Sequence, residues 1–380
     1  MPSLPLARAS LPAGETGRGG HRSLVPWESG WETVHRSRVS WESGRETVRE
    51  APGEGRYAYD HHARSRRSEL RARSSTVAKA PPFVFRRLWK TSVGGQLLVA
   101  IFLTAATASF GNDFWPVEYS FEETYVGEAN VTRGPHRVLE FDESDTLLRI
   151  ILTPRVKLGV LRLGFEYEQF SFGLSENAPL PNTLQSVAAV IGIDTQFSDS
   201  ILVRLETTPG VYSEAFRPGS TDFNMPFEIG GTYIYNPDLQ FVVGVSIDVE
   251  RKYPVIPGGG IRWKFQPKWV LNAVLPTPRL EYEWNKNLTL YAGATLKETN
   301  FRVSDDFGRE HGIPRLNHAV LTYSEVRAGG GIDWKVTSWL SVNAEAGYQP
   351  YRSFDFYRAN IRFHEDGSAP YGMIALHGAF

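Results

Sequence analysis

The chain has 380 residues, no cysteine and a formal net charge of −1. The absence of cysteine excludes disulfide bonds and thiolate metal sites. The small net charge hides two unlike parts, because residues 1–90 contain 17 of the 41 Lys+Arg and 9 of the 42 Asp+Glu, whereas residues 112–380 contain the remaining 24 and 33.

Residues 1–85 lack the apolar runs that a folded domain buries. They are rich in Arg, Ser, Gly and Glu, and such a chain cannot bury enough surface to offset the entropy of ordering it. A pattern that begins at Trp27 returns at Trp41, which is too few copies for a repeat protein. We interpret this segment as disordered, or as upstream sequence translated from a start codon placed too early, and we prefer the second interpretation.

Residues 86–111 have the organisation of a secretory signal peptide. A basic stretch from Arg86 to Lys90 precedes an apolar run, and Ala106-Thr107-Ala108 fits a small-residue cleavage site. The apolar run is short for a membrane anchor, which needs about 20 residues. A signal peptide belongs at the start of a chain, so its position is the reason for suspecting the start codon. We assign residues 112–380 to the exported, folded domain.

The folded domain shows the period-two alternation of β-strands, most clearly at residues 278–303. Leu280, Tyr282 and Trp284 share one face of the first arm, and a tight Asn-Lys-Asn turn leads to a second arm with Leu288 to Leu296 on one face. Successive side chains of a strand point to opposite sides. This hairpin therefore has one apolar face and one polar, charged face.

The same pattern predicts fourteen strands that are joined alternately by tight turns and longer loops. We place the strands at about 117–127, 143–152, 157–172, 186–197, 201–213, 227–235, 239–252, 258–265, 269–275, 278–284, 288–303, 319–335, 338–353 and 371–380. Strands 269–275 and 278–284 are short for a tilted spanning strand, which needs about 9–11 residues. If Pro276-Thr277-Pro278 is only a bend, the count falls to twelve.

The distribution of charged and aromatic residues favours a membrane barrel over a secreted soluble sandwich. Charged residues fall on the face opposite to the apolar one in nearly every strand, with Glu123 as the exception. Aromatic residues cluster beside the tight turns, where a membrane interface would lie. The candidate interface aromatics are Phe197, Tyr235, Phe265, Trp269, Trp284, Trp334 and Trp339.

The signal peptide, the amphipathic hairpins and the terminal aromatic strand resemble those of bacterial outer-membrane β-barrels. The pattern NKNLTLYAGATL after PTPRLEYEW resembles a porin-like family of such barrels whose function is unknown. The resemblance implies an all-β fold, a closed antiparallel up-and-down transmembrane β-barrel, in the bacterial outer membrane. It also implies contact with outer-membrane lipids and with the barrel-assembly machinery, which would read Leu376 and Phe380. Gly378 stands where that assembly signal usually has a large apolar residue.

Charged residues on the inward faces are the candidate lumen-lining residues. The candidates are Arg149, Arg162, Glu166, Glu168, Arg204, Glu206, Arg262, Lys264, Arg279, Glu281, Glu283, Glu325, Arg327 and Glu345. Asp194, Glu228, Asp248, Glu250, Lys297 and Asp333 also fall on inward faces, which gives twelve acids and eight bases in all. Acids outnumber bases on these faces, and an acidic wall lowers the barrier for cations. The main hypothesis is a passive porin-like channel for small solutes with a slightly acidic lumen. In the alternative the charges pair across the lumen and close it, leaving a structural barrel or one that binds a partner through its loops.

We predict no catalytic residue, no metal site and no cofactor, and we do not expect an enzyme. The five histidines of the folded domain form no H-x-x-x-H pair, and no G-x-S-x-G occurs. An outer-membrane hydrolase with a site assembled from distant loops is the second alternative. No nucleic-acid partner is expected, since the basic N-terminal part precedes the signal peptide.

Overall fold

The computed structural model describes residues 116–133, 136–174, 178–214 and 219–379. The predictions on residues 1–85, on the signal peptide at residues 86–111 and on Phe380 lie outside the described residues.

The described residues are mostly β-strand. The strands in chain order are β1 (Val117–Arg133), β2 (His136–Leu152), β3 (Arg155–Val156), β4 (Gly159–Gly173), β5 (Thr183–Ser198), β6 (Ile201–Thr207), β7 (Gly210–Ser213), β8 (Phe223–Asn224), β9 (Phe227–Asn236), β10 (Leu239–Ile247), β11 (Val255–Gln266), β12 (Trp269–Asn272), β13 (Arg279–Glu283), β14 (Leu288–Arg302), β15 (Val320–Lys335), β16 (Leu340–Phe356), β17 (Ile361–Asp366) and β18 (Ala369–Ala379). The connections contain helix α1 (Phe307–Glu310) and 3₁₀ turns at Ser220–Asp222, Pro314–Leu316 and Tyr357–Ala359. Among the described residues, no helix has both the length and the apolar character needed to cross a membrane.

The strands form one closed antiparallel barrel of fourteen crossings. β3 lies in the turn between β2 and β4, while β7, β8 and β17 prolong β6, β9 and β18 past a bend or bulge. β1 pairs with β18 from Glu118↔Ala379 to Val126↔Tyr371, which joins the first crossing to the last. The predicted fold class and the count of fourteen are therefore confirmed.

The segment between β12 and β13 decides the strand count. β12 and β13 are antiparallel partners, from Trp269↔Tyr282 to Asn272↔Arg279. Pro276-Thr277-Pro278 therefore lies in a connection between two short crossings, so the twelve-strand alternative is wrong.

We call the end of the barrel with the longer connections the loop end and the end with the tight turns the turn end. The predicted strand bounds need correction at the loop end. β1 continues to Arg133 and β2 begins at His136, so most of the predicted loop 128–142 is strand. The last crossing likewise begins at Ile361 rather than at residue 371. Conversely, β10 ends at Ile247, and residues 248–252 belong to a connection. The apolar alternation used for the prediction stops at the edge of the apolar band, whereas backbone pairing continues beyond it.

The barrel wall has a tall side and a short side. β1, β2, β4, β5, β14, β15 and β16 each have 15 to 17 residues. In contrast, β12 has 4 and β13 has 5 residues. Above the short side, β7 meets β14 through a parallel bridge between Ser213 and Arg302. The loop end is therefore closed by fewer strands than the turn end.

An apolar cluster fills the barrel at the loop end. Phe170 and Phe172 continue the inward face of β4, and Tyr323 does the same on β15. The ring centroids of Phe170 and Tyr323 are 4.8 Å apart, and those of Phe172 and Phe354 are 5.2 Å apart. Buried residues of the connections, including Leu180, Phe307 and Leu316, pack into the same cluster. We call this cluster the aromatic plug.

The exterior of the barrel carries exposed apolar side chains. Val243 is 68% exposed, and many outward residues of other strands resemble it. Examples are Ile150, Phe165, Ile191, Ile201, Ile229, Ile332 and Ile374. A soluble sandwich would bury such a face, whereas lipid accepts it.

Candidate functional site

The interior between the aromatic plug and the turn end contains most of the predicted lumen residues. Seven of the fourteen are buried, namely Arg149, Arg162, Glu168, Arg204, Glu206, Glu325 and Arg327. The other seven, Glu166, Arg262, Lys264, Arg279, Glu281, Glu283 and Glu345, are partly exposed. Inward alternation along the strands brings all of them toward one interior. That they line a transport path stays a prediction.

Lys297 on β14 is the centre of a buried ionic cluster. Its Nζ lies 2.7 Å from Asp145 Oδ2 and 2.7 Å from Glu168 Oε1, and its side chain is 1% exposed. The ammonium group also lies 4.2 Å from the centre of the Phe170 ring. This cation therefore joins three strands of the tall wall directly beneath the aromatic plug.

Arg327 extends this cluster toward the seam where the barrel closes. Its Nη2 lies 3.2 Å from Glu325 Oε1 and 3.8 Å from Glu122 Oε1. Its Nη1 donates a hydrogen bond to Thr124 Oγ1 at 2.7 Å. This hydrogen bond connects β15 to β1 across the interior, although β16 and β18 lie between them in the wall.

Arg352 on β16 anchors a second buried cluster beside the plug. Its Nη1 donates to Glu143 Oε2 at 2.8 Å, and its Nε lies 3.3 Å from Glu365 Oε2. The guanidinium lies 4.3 Å from the centre of the Phe141 ring, and the Tyr323 hydroxyl donates to the same Glu143 carboxylate at 2.7 Å. These contacts tie the ionic interior to the aromatic plug.

Arginines of β2, β4 and β6 form a third network nearer the turn end. Arg162 Nε donates to Glu206 Oε2 at 3.1 Å, and its Nη1 donates to Glu118 Oε2 at 2.9 Å. Arg149 hydrogen-bonds the same Glu206 carboxylate. Arg204 binds Asp194 through two nitrogen atoms, one of them at 2.7 Å. Two arginines thus share the carboxylate of Glu206.

The turn end of the interior is open to water. Lys264 Nζ lies 2.6 Å from Glu283 Oε2, yet the two side chains are 33% and 38% exposed. Arg262 lies 3.5 Å from Glu281, also with partial exposure. Tyr291 donates to Glu345 Oε2 at 2.6 Å a little deeper in the barrel. The charged side chains at the turn end are therefore partly exposed, whereas the loop end of the interior is filled by packed side chains.

Several interior residues did not appear among the predicted site residues. Three of them, Asp194, Lys297 and Asp333, are nevertheless assigned to inward faces by the sequence pattern, whereas Glu118, Glu122, Glu143, Asp145, Arg352 and Glu365 are not. Most of them share strand parity with a predicted residue, as Glu143 and Asp145 do with Arg149 on β2. The alternation of inward and outward positions along each strand could therefore have identified these residues. Part of that pattern lies in the loop-end extensions of the strands, which were not predicted.

The predicted interface aromatics lie beside the tight turns. Phe197, Tyr235, Phe265, Trp284, Trp334 and Trp339 are exposed, and Trp269 is partly buried against Tyr282 at 4.9 Å between ring centroids. Trp263, which is also exposed, lies 5.7 Å from Phe265 and belongs to the same ring of aromatics. Contact of these rings with lipid headgroups stays a prediction.

Residues of the closing seam explain the glycine in the last strand. Gly378 is paired with Tyr119 of β1, and the Tyr119 ring occupies the space that a side chain at position 378 would need. Leu376, two residues earlier, is paired with Phe121 and with Val342. Glu123, the exception to the face rule, accepts a hydrogen bond from the Thr146 hydroxyl at 2.7 Å. Recognition of Leu376 by an assembly machinery stays a prediction.

An internal cavity of about 50 Å³ adjoins Lys297 on the short side of the barrel. It has space for a few water molecules. The acids that line it are Glu166, Glu168, Glu206, Glu228, Asp248 and Glu298. Within the described ranges no group of three or more His, Asp or Glu side chains is arranged to hold a metal ion.

The chain resembles one family and several solved structures. A family model described as a domain of unknown function, DUF6268, matches residues 161–368. No curated protein matches the chain. An outer-membrane channel from Pseudomonas putida F1 shares 7% identity at a TM-score of 0.40, with 71% of this chain and 97% of that chain covered.

Two further solved structures are similar at a comparable level. The KdgM porin in complex with disordered oligogalacturonate shares 8% identity at a TM-score of 0.30, with 69% of this chain and 99% of that chain covered. The P. putida toluene transporter TodX shares 9% identity at a TM-score of 0.33, with coverage of 72% and 92%. Similarities of this size leave the function to be argued from the chain's own residues.

Proposed function

The chain belongs to the DUF6268 family of unknown function, and we propose that it is an outer-membrane channel for small solutes, closed at its loop end in the conformation described. The observation that carries the proposal is the charged interior, which runs from the partly exposed ion pairs of the turn end to the buried Lys297. A buried ion pair is often no more stabilising than apolar residues of the same volume. A barrel that served only as a scaffold would not need so many charges inside.

The outer-membrane location is part of the proposal. Supporting it are the barrel, whose turn-end part is closed by paired strands all the way round, and the exposed apolar exterior. The aromatic residues at the turn end fit a membrane interface. Fractionation of cells that express the full chain tests the location, and recovery of the folded protein in a soluble fraction would contradict it.

The charge balance of the interior favours cations. Acids exceed bases among the interior residues, and six acids but one lysine line the cavity beside Lys297. Because pore walls of one sign lower the barrier for ions of the opposite sign, we propose a preference for small cationic solutes. The proposed protein partners are limited to the barrel-assembly machinery.

Recordings in planar lipid bilayers test the channel proposal. Purified protein that migrates as a folded, heat-modifiable barrel is expected to give discrete conductance steps in KCl. The steps are expected to be brief, because the plug and its ionic clusters close the loop end. Folded protein that stays silent would contradict the proposal.

A closed barrel without transport is the second candidate function. The favouring observation is the aromatic plug, in which Phe141, Phe170, Phe354 and Phe363 are essentially inaccessible to solvent. In this case the barrel is a scaffold that presents its loops to a partner. Silence of the wild-type protein and of a variant with a truncated plug, such as Phe170→Ala, would support this candidate over the channel.

The hydrolase alternative gains no support from the described histidines. His318 Nδ1 lies 2.7 Å from Asp305, in an exposed loop. His311 contacts the carbonyl oxygen of Phe307, and His364 contacts the Thr132 hydroxyl. We keep a non-enzymatic function as part of the proposal.

A further inference from the structure

The straight path along the barrel axis ends at the aromatic plug. The plug combines side chains of the tall strands with Leu180, Phe307 and Leu316 of the connections. Lys297 and Arg352 lie against it with their charges paired. A solute that enters from the turn end therefore meets a packed, dry end.

The barrel wall is incomplete on the short side. Along the edge of β14 that faces β13, backbone hydrogen bonds continue as far as Leu296. The Leu296 N–H donates to the Pro276 carbonyl at 3.0 Å. The next backbone pairing on this side is that of Arg302 with Ser213 of β7. Within the described residues, no ladder joins residues 297–301 to a strand on this side. The other edge of β14 is paired with β15 along its whole length.

The cavity beside Lys297 lies at this gap. It touches Lys297 and Thr299, which share one face of β14, and also Glu298 and Asn300, which lie on the other face. A cavity that meets both faces of a strand must lie at the edge of that strand. Across the gap it touches Thr208 and Pro226, at the bends that separate β6 from β7 and β8 from β9.

The connection between β10 and β11, residues 248–254, covers the gap, and we call it the strap. Asp248 is buried and accepts hydrogen bonds from Asn224 Nδ2 at 3.1 Å and from Asn300 Nδ2 at 2.7 Å. These two amides lie on opposite sides of the gap. One carboxylate therefore joins the two sides of the opening.

Further ionic contacts hold the strap in place. Arg251 Nε lies 3.4 Å from Glu298 Oε1, and Arg302 Nη2 lies 2.8 Å from Glu250 Oε1. Arg358 contacts the same Glu250 carboxylate at 3.0 Å. Arg302, Glu250 and Arg358 are partly exposed, so water can replace their contacts at low cost. Asp248, Arg251 and Glu298 are buried, but they are polar groups that water entering the gap can solvate. The plug, in contrast, can open only by exposing large apolar side chains to water.

We propose that small cationic solutes pass between the lumen and the exterior sideways, through the gap beside residues 297–301, and that the strap opens and closes this path with Asp248 as its latch. The inference rests on the proposed channel function. The cationic preference follows from Glu168, Glu206 and Glu228 on the lumen side. Glu298 and Asp248 continue the acidic lining through the gap.

The first test compares two aspartate variants of the full chain in planar bilayers in KCl. Asp248→Ala removes the latch, and we expect the open probability to rise at least fivefold. Asp238→Ala makes the same change in an exposed turn at the opposite end of the barrel, and we expect it to behave as the wild type.

The second test uses the absence of cysteine from the natural chain. Thr299→Cys places the only thiol in the gap. We expect a cationic methanethiosulfonate reagent with a trimethylammonium group to reduce the current by more than half, and to react faster than a sulfonate reagent. Thr337→Cys, in a turn at the other end, is expected to leave the current unchanged after either reagent.

The outcomes separate this inference from the channel proposal. If the folded wild type and Asp248→Ala are both silent, both ideas fail. If the wild type conducts but Asp248→Ala has the same open probability and Thr299→Cys is insensitive to the reagents, the channel stands and the side path is overturned. If Asp248→Ala does not fold, the thiol reaction of Thr299→Cys decides the question.

Discussion

At the residue scale, the seam between β1 and β18 depends on Gly378. The Tyr119 ring of β1 lies over Gly378 of β18, where a side chain would collide with it. We expect Gly378→Val to lower the yield of heat-modifiable barrel strongly, although valine favours strands in general. Gly372→Val is the control on the same strand, because no neighbouring atom lies within 4 Å of the added Cβ. Equal folding of both variants would refute the role of the Tyr119 ring.

Lys297 offers a second prediction at this scale. Lys297→Met leaves Asp145 and Glu168 buried without their shared cation, and removing one partner of a buried pair typically costs about 3–5 kcal/mol. We expect a loss of that size in denaturant unfolding of the folded barrel. Lys264→Met removes a half-exposed pair with Glu283 and should cost at most about 1 kcal/mol. Similar losses in the two variants would contradict the buried position of Lys297.

Glu214 gives a pH-dependent prediction at the loop end. Burial raises the pKa of Glu214, although the hydrogen bond that its carboxylate accepts from the Ser304 N–H, at 2.9 Å, opposes the shift. An acid with a raised folded-state pKa favours the folded loop below its unfolded pKa and loses that contribution as the pH rises through the folded value. We expect the loop at Ser304 to become more accessible to protease between pH 4 and pH 8, and less steeply so in Glu214→Gln. An accessibility that falls with rising pH would contradict the sign.

The aromatic plug is the feature to test at the element scale. Phe170→Ala removes a buried ring that contacts Tyr323 and Phe301, and such changes typically cost about 3–5 kcal/mol. Phe165→Ala lies on the outward face of the same strand and is already exposed, so we expect a much smaller loss of stability. Denaturant unfolding of both variants in the same detergent measures the difference. Equal losses would show that the inward face of β4 carries no packed core.

Strand alternation was enough to predict most elements but not their ends. Fourteen crossings, including the short β12 and β13, follow from period-two apolar patterns and turn residues. The loop-end extension of β1 was not predicted, because Glu128, Asn130 and Thr132 are polar where the apolar band stops. The strap was predicted as part of β10, because Asp248 and Glu250 continue the alternation of charged and apolar residues in that strand.

At the scale of the whole molecule, the local sequence pattern did not predict which charged side chains pair across the interior or where the wall is incomplete. The sequence placed Arg149, Arg162 and Glu206 on inward faces, but their shared network depends on which strands face each other. The gap beside residues 297–301 depends on a single bridge between Ser213 and Arg302, residues far apart in the chain. A resemblance to outer-membrane barrels likewise predicted a lumen but not the plug that closes one end.

The reversal potential across a KCl gradient is the most direct measurement for the proposed channel as a whole. It integrates the charge of the full path, wherever the path leaves the barrel, and needs no variant. Because acids dominate the interior and the cavity, a reversal potential displaced toward the K⁺ equilibrium potential is expected. A potential displaced toward the Cl⁻ equilibrium potential, or no conductance from folded protein, would contradict a cation-conducting barrel.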